Sequence, residues 1–337
     1  MRAAMRDVYG GPEVVRVRHV DPPVPIEDEV VVRVEAASLN RADLDQLYPR
    51  WWFYRLIAGI RRPRNPRLGL DAAGTVEAVG PAVTTFKAGD RVFGDLFAFG
   101  MGAFAELACA PQRAFARIPD GVSFEAAACL PHSAILAVQA LRPHAGGRRM
   151  RAGDQVLIDG GSGNVGPFAI QIAKAWGAEV TATSRAEKVG FVRSLGADHV
   201  FAYTSTDITQ GGERFDWIVD VDSHHSVLAW SRALKPGGVY VTLGGGTLDM
   251  LGLIVAPLVG RRERKDMGLL MGWRPFNRAA DDVATVEELV AAGKLRPVID
   301  RRFGLDQVGD ALRYMDEGRN RGKVVITIGP GEEPATS

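Results

Sequence analysis

Three glycines in one short run, Gly161-Ser162-Gly163-Asn164-Val165-Gly166, have the types and spacing to bind a dinucleotide. By itself G-x-G-x-x-G is a weak signal. Here it follows the apolar segment Gln155–Ile158 and opens a helical run, Val165-Gly166-Pro167-Phe168-Ala169-Ile170-Gln171-Ile172-Ala173, which is the context the chemistry requires. The first glycine allows a tight turn, the second lets backbone approach a pyrophosphate, and the third lets helix and strand pack closely. The helix start then offers amide donors to the anion. About 20 residues on, the next strand ends in Thr183-Ser184-Arg185, with Lys188 following. An NAD site commonly places an acid at that tip. A hydroxyl and two cations suit the 2′-phosphate of NADPH instead.

The elements that must position these residues follow from periodicity. Up to about residue 120 the chain reads as short β segments, among them Val14–Val20, Glu29–Ala37 and Thr75–Val79, punctuated by turns at Gly89-Asp90 and Pro119-Asp120. From about Phe124 helical patterns alternate with the buried strands Gln155–Ile158, Glu179–Thr183, Trp217–Val221 and Val239–Leu243. That alternation predicts a parallel sheet with helices on both faces. A helix is expected over Asp281–Ala292, and Lys323–Ile328 reads as the last strand. The fold class is therefore α/β: a β-rich domain, residues 1–121 and 296–337, interrupted by a doubly wound domain, residues 122–295. The end of the chain, Gly329–Ser337, is expected to be mobile.

A formal net charge of +1 gives no reason to expect a nucleic-acid partner. No apolar run approaches the roughly 20 residues that cross a bilayer, and the first residues lack a signal-peptide core. With two cysteines, Cys109 and Cys129, the chain has no disulfide framework or four-cysteine zinc site. A cytoplasmic protein with a small-molecule substrate and no membrane partner is expected. The stretch from Arg50 to Arg67 mixes aromatics with arginines. It is read as a short lid helix whose aromatics pack over a cleft, with a membrane surface or nucleic acid as the alternative.

The segments Gly69–Gly94, Met101–Ala110, Ser162–Val180, Arg193–Tyr203 and Arg321–Ile328 resemble the medium-chain dehydrogenase/reductase superfamily, specifically its zinc-independent, quinone oxidoreductase-like branch. The resemblance implies a GroES-like substrate domain, a Rossmann domain and a cleft between them. It also implies hydride transfer from NADPH to a quinone, an enone or a related double bond. It places Lys188 and Tyr203 on the 2′-phosphate and Asn40 near the nicotinamide, and it adds Val221, Leu243, Gly244 and Lys323 to the cofactor contacts. In zinc-dependent members a cysteine ligand lies three residues before an aspartate, and a histidine follows a glycine. The matching positions are Asn40, before Asp43, and Leu70, in Gly69-Leu70-Asp71. Neither suits zinc, so no metal is expected.

Charge develops on the substrate oxygen during hydride transfer, and donors must converge there. Asn40, Tyr48, Tyr54 and His132 are the candidates, with Asp43 read as a bracing residue. Departures from near relatives fall at Ala134, Leu136 and Asn164, which leaves open a tailoring ketone or enoyl reductase, or a non-catalytic NADPH-binding module. A homodimer is expected through the edge segment Gly268-Leu269-Leu270-Met271-Gly272-Trp273, helped by the apolar run Leu251–Val259.

Overall fold

The computed structural model describes residues 1–49, 54–142, 147–212, 214–221, 225–244, 263–270 and 280–329. In chain order, an antiparallel pair, β1 (Arg2–Met5) and β2 (Arg16–His19), leads into the long strand β3 (Glu29–Ser38). Helices α1 (Arg41–Leu47) and α2 (Tyr54–Ala58) follow, then strands β4 (Asp71–Val79), β5 (Arg91–Asp95), β6 (Leu107–Pro111) and β7 (Phe115–Arg117). Two helices, α3 (Phe124–Ala128) and α4 (Ser133–Leu141), lead to β8 (Gln155–Asp159), α5 (Gly166–Ala175), β9 (Glu179–Ser184), α6 (Val189–Ser194) and β10 (His199–Ala202). Next come β11 (Phe215–Asp220), α7 (Val227–Ala233), β12 (Leu234–Thr242), β13 (Asp266–Leu269) and α8 (Ala280–Ala291). The chain closes with β14 (Ile299–Gly304), α9 (Val308–Asp316) and β15 (Lys323–Thr327).

Two compact units result, one from Met1–His132 with Pro297–Ser337, the other from Ser133–Arg296. In the first, the sheet order is β14-β15-β3-β4-β5-β7, with β6 also pairing β3. Strand β3 is the hub: it pairs antiparallel with β15, β4 and β6. Its run of valines, Val30 to Val32 and Val34, is buried because both faces are covered. Short α3 packs on β3 and β4 of this unit, so the change of pattern near residue 122 precedes the junction between the units, which follows His132. Its alanines, Ala127 and Ala128, are buried, which lets the helix lie close to the sheet.

Among the described residues of the second unit every strand pairing is parallel, in the order β10-β9-β8-β11-β12-β13. The order runs outward in opposite directions from β8 and β11, which makes their shared boundary the topological switch point, where open α/β sheets bind ligands at the strands' carboxyl ends.

The structure departs from the sequence reading in places. Val14–Val20 is not one strand: Pro12–Val14 forms a 3-10 turn and only Arg16–His19 is extended, as the ring of Pro12 favours a helical start. Within Arg50–Arg67 the described helix is Tyr54–Ala58, with Leu56 and Ile60 exposed, and the aromatic side chains of the expected lid, Trp51 to Tyr54, lie outside those described. Of the expected dimer segment, β13 ends at Leu269 and Leu270 is buried, while 271–273 and the run Leu251–Val259 lie outside the described residues, as does the tail 330–337. No helix among the described residues is long and apolar enough to cross a membrane.

Candidate functional site

The glycine turn sits at the switch point, directly after β8. The left-handed residue of the turn is Gly160, at φ +89°, one place before the motif. Gly161 faces inward, where a Cβ would meet Ala182, Ile170 and Val192 side chains at 3.1–3.2 Å. Gly163 faces open space, with nothing nearer than 3.9 Å to an added Cβ. Gly166 admits no side chain, since its Cβ would lie 2.2 Å from the Gly160 carbonyl oxygen. These three environments match a turn that packs on one side and leaves backbone accessible on the other. No side chain caps the first turn of α5, and Ser162 and Val165 are buried against the unit. A pyrophosphate fits this turn.

The neighbouring strand tip carries the cations. Arg185 Nε donates to Tyr203 Oη at 3.0 Å, and that contact raises the guanidinium's affinity for its proton. Tyr203 N donates to the Ser184 carbonyl at 3.1 Å, which ties the end of β10 to the end of β9. Lys188 lies in the turn after them and is buried. Ser184 is less available than its type suggested, because its buried Oγ donates to the Arg185 carbonyl at 3.1 Å. Val221 and Leu243 flank the same edge: Val221 N donates to Asp159 O at 3.0 Å, Leu243 N to Asp220 O at 2.9 Å, and Gly244 follows. Thus Gly161 through Val165, Ser184, Arg185, Lys188, Tyr203, Val221, Leu243 and Gly244 share one edge of one sheet. These residues fit a phosphorylated dinucleotide.

A different arrangement occupies the first unit. Asp71, Asp43, Asp95, His132 and Lys323 are all buried, together with Asn40 and Ser38. Asp71 is the centre. Its Oδ2 accepts from Ser38 Oγ at 2.9 Å and from Asn40 Nδ2 at 2.9 Å, and lies 3.4 Å from Lys323 Nζ. Its Oδ1 accepts from the His132 backbone N–H at 3.0 Å. Lys323 Nζ donates to Asn40 Oδ1 at 2.7 Å. His132 Nδ1 lies 2.9 Å from Asp95 Oδ2, while Asp95 Oδ1 accepts from Phe97 N–H at 2.8 Å.

Burial shapes the titration of this cluster. It pushes the Asp43 carboxyl up to about 8, against a bond from the Asn40 backbone N–H at 2.7 Å that favours the ionised form, and with the nearby Asp71 charge adding to the rise. Asp71 is also raised by burial, with Lys323 opposing and Asp95 adding. For His132 burial favours the neutral ring, yet the Asp95 charge and hydrogen bond outweigh it and the imidazole is raised. A buried carboxyl raised by desolvation in the same cluster as an imidazole raised by its carboxylate partner is a setting for proton exchange.

The catalytic candidates separate. Asn40 and His132 enter this network. Tyr48 does not: its hydroxyl donates to the Asp316 carboxylate, and burial together with that contact pushes the phenol upward. Tyr54 begins α2, and its side chain lies outside those described. Lys323, read from the sequence as a cofactor contact, is buried with its Nζ against Asn40 and Asp71, since a cation removed from water requires such partners. Asp71, Asp95 and Ser38 were missed as site residues. The available signal was an acid at the end of an otherwise apolar strand, as in Asp71-Ala72-Ala73 and Val92-Phe93-Gly94-Asp95.

Zinc does not fit here. Leu70 is buried and has no donor atom, and both ends of the Asn40 amide are engaged, one by a cation. Among the described residues no group of three His, Cys, Asp or Glu is placed to hold a metal ion.

Residues 26–120 match the alcohol dehydrogenase GroES-like domain, and residues 195–326 match a family described as zinc-binding dehydrogenase. The chain is 33 % identical over 356 residues to the NAD(P)H oxidoreductase RTN4IP1, mitochondrial, of Danio rerio, covering 97 % of this chain and 91 % of that protein. It is 34 % identical over 323 residues to the trans-enoyl reductase pgmF of Aspergillus terreus, covering 89 % and 86 %. The solved structure of the quinone oxidoreductase from Coxiella burnetii matches with a TM-score of 0.85 at 26 % identity, over 98 % of this chain and 99 % of that one.

Proposed function

This chain belongs to the zinc-independent, quinone oxidoreductase-like branch of the medium-chain dehydrogenase/reductase superfamily, and on that premise we propose that it is an NADPH-dependent reductase of a quinone, an enone or a related activated C=C or C=O bond. It is an oxidoreductase of the nicotinamide-dependent kind; the choice of NADPH and the acceptor class are our reading. The observation that carries it is the tip of β9, where Arg185 and Tyr203 meet, Lys188 lies in the next turn, and no acid stands at the position that would bind ribose hydroxyls.

Bound NADPH supplies the hydride. The chain's own residues have separate tasks. Gly161 to Val165 hold the pyrophosphate, Arg185 and Lys188 neutralise the 2′-phosphate, and Gly166 keeps α5 close to the turn. In the first unit, Asn40 carries an oriented carboxamide, and His132, paired with Asp95, is the group placed to exchange a proton.

The test is NADPH oxidation across a panel of quinones, enones, 2-enoyl thioesters and ketones, with NADH in parallel. Turnover of at least one quinone or enone, with NADPH preferred, supports the reading. Tight NADPH binding without turnover on any member points to a non-catalytic module. Because pgmF is described as a trans-enoyl reductase, turnover confined to 2-enoyl thioesters points to a tailoring enoyl reductase instead.

We further propose a homodimer joined through β13, the outermost strand of the described sheet, whose Leu269 is partly exposed. An apolar strand at a sheet edge is stabilised by pairing with its own copy.

A further inference from the structure

We propose that Lys323 and Asp71 are positioning residues that lock the Asn40 carboxamide in a single orientation; the catalytic consequence rests on the reductase reading, the locking itself does not. The two ends of an asparagine amide are nearly equal in shape, so only hydrogen-bond partners decide which way it points. Here both ends are held by groups of opposite charge. The carbonyl end accepts from the Lys323 ammonium at 2.7 Å, and the NH2 end donates to the Asp71 carboxylate at 2.9 Å. Reversing the amide would face NH2 toward an ammonium and a carbonyl toward a carboxylate. Both contacts would be repulsive, and at 0–1 % exposure of all three side chains no bulk water relieves them.

The distances argue against a simple ion pair. Lys323 Nζ lies 3.4 Å from Asp71 Oδ2, farther than its 2.7 Å contact with the amide oxygen. The ammonium is therefore seated on Asn40, with Asp71 as the counter-charge that makes its burial tolerable. The scaffold delivers each partner on a separate element. Lys323 opens β15, Asp71 opens β4, and Asn40 stands between β3 and α1. Leu39 N donates to Val324 O at 2.9 Å, beside Lys323, and Asn40 N donates to Asp43 Oδ2 at 2.7 Å, so the backbone on both sides of the amide is fixed. A fold that needed only to fill this space would be served by apolar side chains. A charged pair that grips both ends of one amide defines a direction, which apolar packing cannot.

The experiment combines a kinetic cycle with a spectroscopic readout. Lys323→Met, Asn40→Ala and the double variant are compared on an acceptor that the unmodified enzyme reduces. Lys323→Met should lower kcat about tenfold while the KM for NADPH moves less than about twofold. Adding Lys323→Met to Asn40→Ala should change kcat less than about twofold, because the lysine acts through the amide. Multiplicative losses in the double variant would overturn the proposal. So would a rise in the NADPH KM as the main effect. Should Lys323→Met fail to fold, Asp71→Asn with Lys323→Met removes both buried charges and takes its place. Independently of turnover, the 15N side-chain amide signals of Asn40, assigned by their loss in Asn40→Ala, should be dispersed and slow to exchange in the unmodified chain. They should move to the solvent-exposed envelope in the folded lysine variant, and unmoved signals reject the locking. If no acceptor on the panel is reduced, the reductase reading fails and the amide signals still decide the positioning.

Discussion

The nucleotide edge of the second unit and the buried charge cluster of the first solve opposite problems. At the edge, backbone does the binding. A turn of glycines, an uncapped helix start and the exposed Arg185 at a strand tip, with Lys188 buried in the turn after it, present themselves to an anion. In the cluster, side chains bind one another, and Asp43, Asp71, Asp95, His132 and Lys323 are withdrawn from water. Loss of a group at the edge should weaken a ligand. Loss of a group in the cluster should weaken the protein, because a buried charge left without its partner carries its full desolvation cost.

The largest expected effect belongs to the cluster and to pH. The Asp43 carboxyl is raised from its ordinary value near 3.8 to about 8 in the folded chain. Between those limits the folded state holds a proton that the unfolded state has lost. Stability from this group is therefore complete below about pH 4 and falls as pH rises toward about 8, by on the order of 5 kcal/mol. His132, also raised, acts with the same sign. Denaturant unfolding of Asp43→Asn at several pH values should show a flatter profile, and a slope equal to that of the unmodified chain would place the proton elsewhere. Next, Asp71→Ala should cost about 3–5 kcal/mol of unfolding free energy, because it strands Lys323. A loss below about 1 kcal/mol would mean that water reaches the site.

Effects at the edge should be smaller in stability and larger in affinity. Gly166→Ala forces a Cβ to 2.2 Å from the Gly160 carbonyl oxygen, so we expect about 1–3 kcal/mol of destabilisation and a displaced turn that binds NADPH poorly by calorimetry. Arg185→Ala with Lys188→Ala should erase an NADPH preference of about tenfold, about 1.4 kcal/mol, while NADH affinity stays nearly constant. An undiminished preference would remove these residues from the 2′-phosphate. The smallest effect on the fold is expected at β13. Leu269→Lys should convert a dimer to the 36.3 kDa monomer by light scattering. Leu270, buried as it is, would instead report on folding.

The same contrast governs what could be read in advance. Both the glycine turn and the cations at the β9 tip lie within one contiguous strand-turn-helix-strand stretch. Period and turn chemistry act over a few residues, so Gln155–Asp159 and Glu179–Ser184 were legible to within a residue or two. Strand β10 was missed because His199–Ala202 is short and only partly buried. The lid reading rests on the aromatics Trp51 to Tyr54, whose side chains lie outside those described, so only its short helix, Tyr54–Ala58, is placed.

By itself the sequence determined the alternation that builds the parallel sheet, the position of the dinucleotide turn and the absence of an acid at its cofactor-selecting tip, since each depends on neighbours a few residues apart. Only tertiary structure decided that Lys323 grips Asn40 across 283 positions, that Asn40 meets Asp71 across 31, and that His132 faces Asp95 rather than standing alone. Those contacts depend on the register of β15 against β3 and of β3 against β4. A one-residue slip would turn the side chains to the opposite face of the sheet, and no local pattern in the chain records which charge will be waiting there.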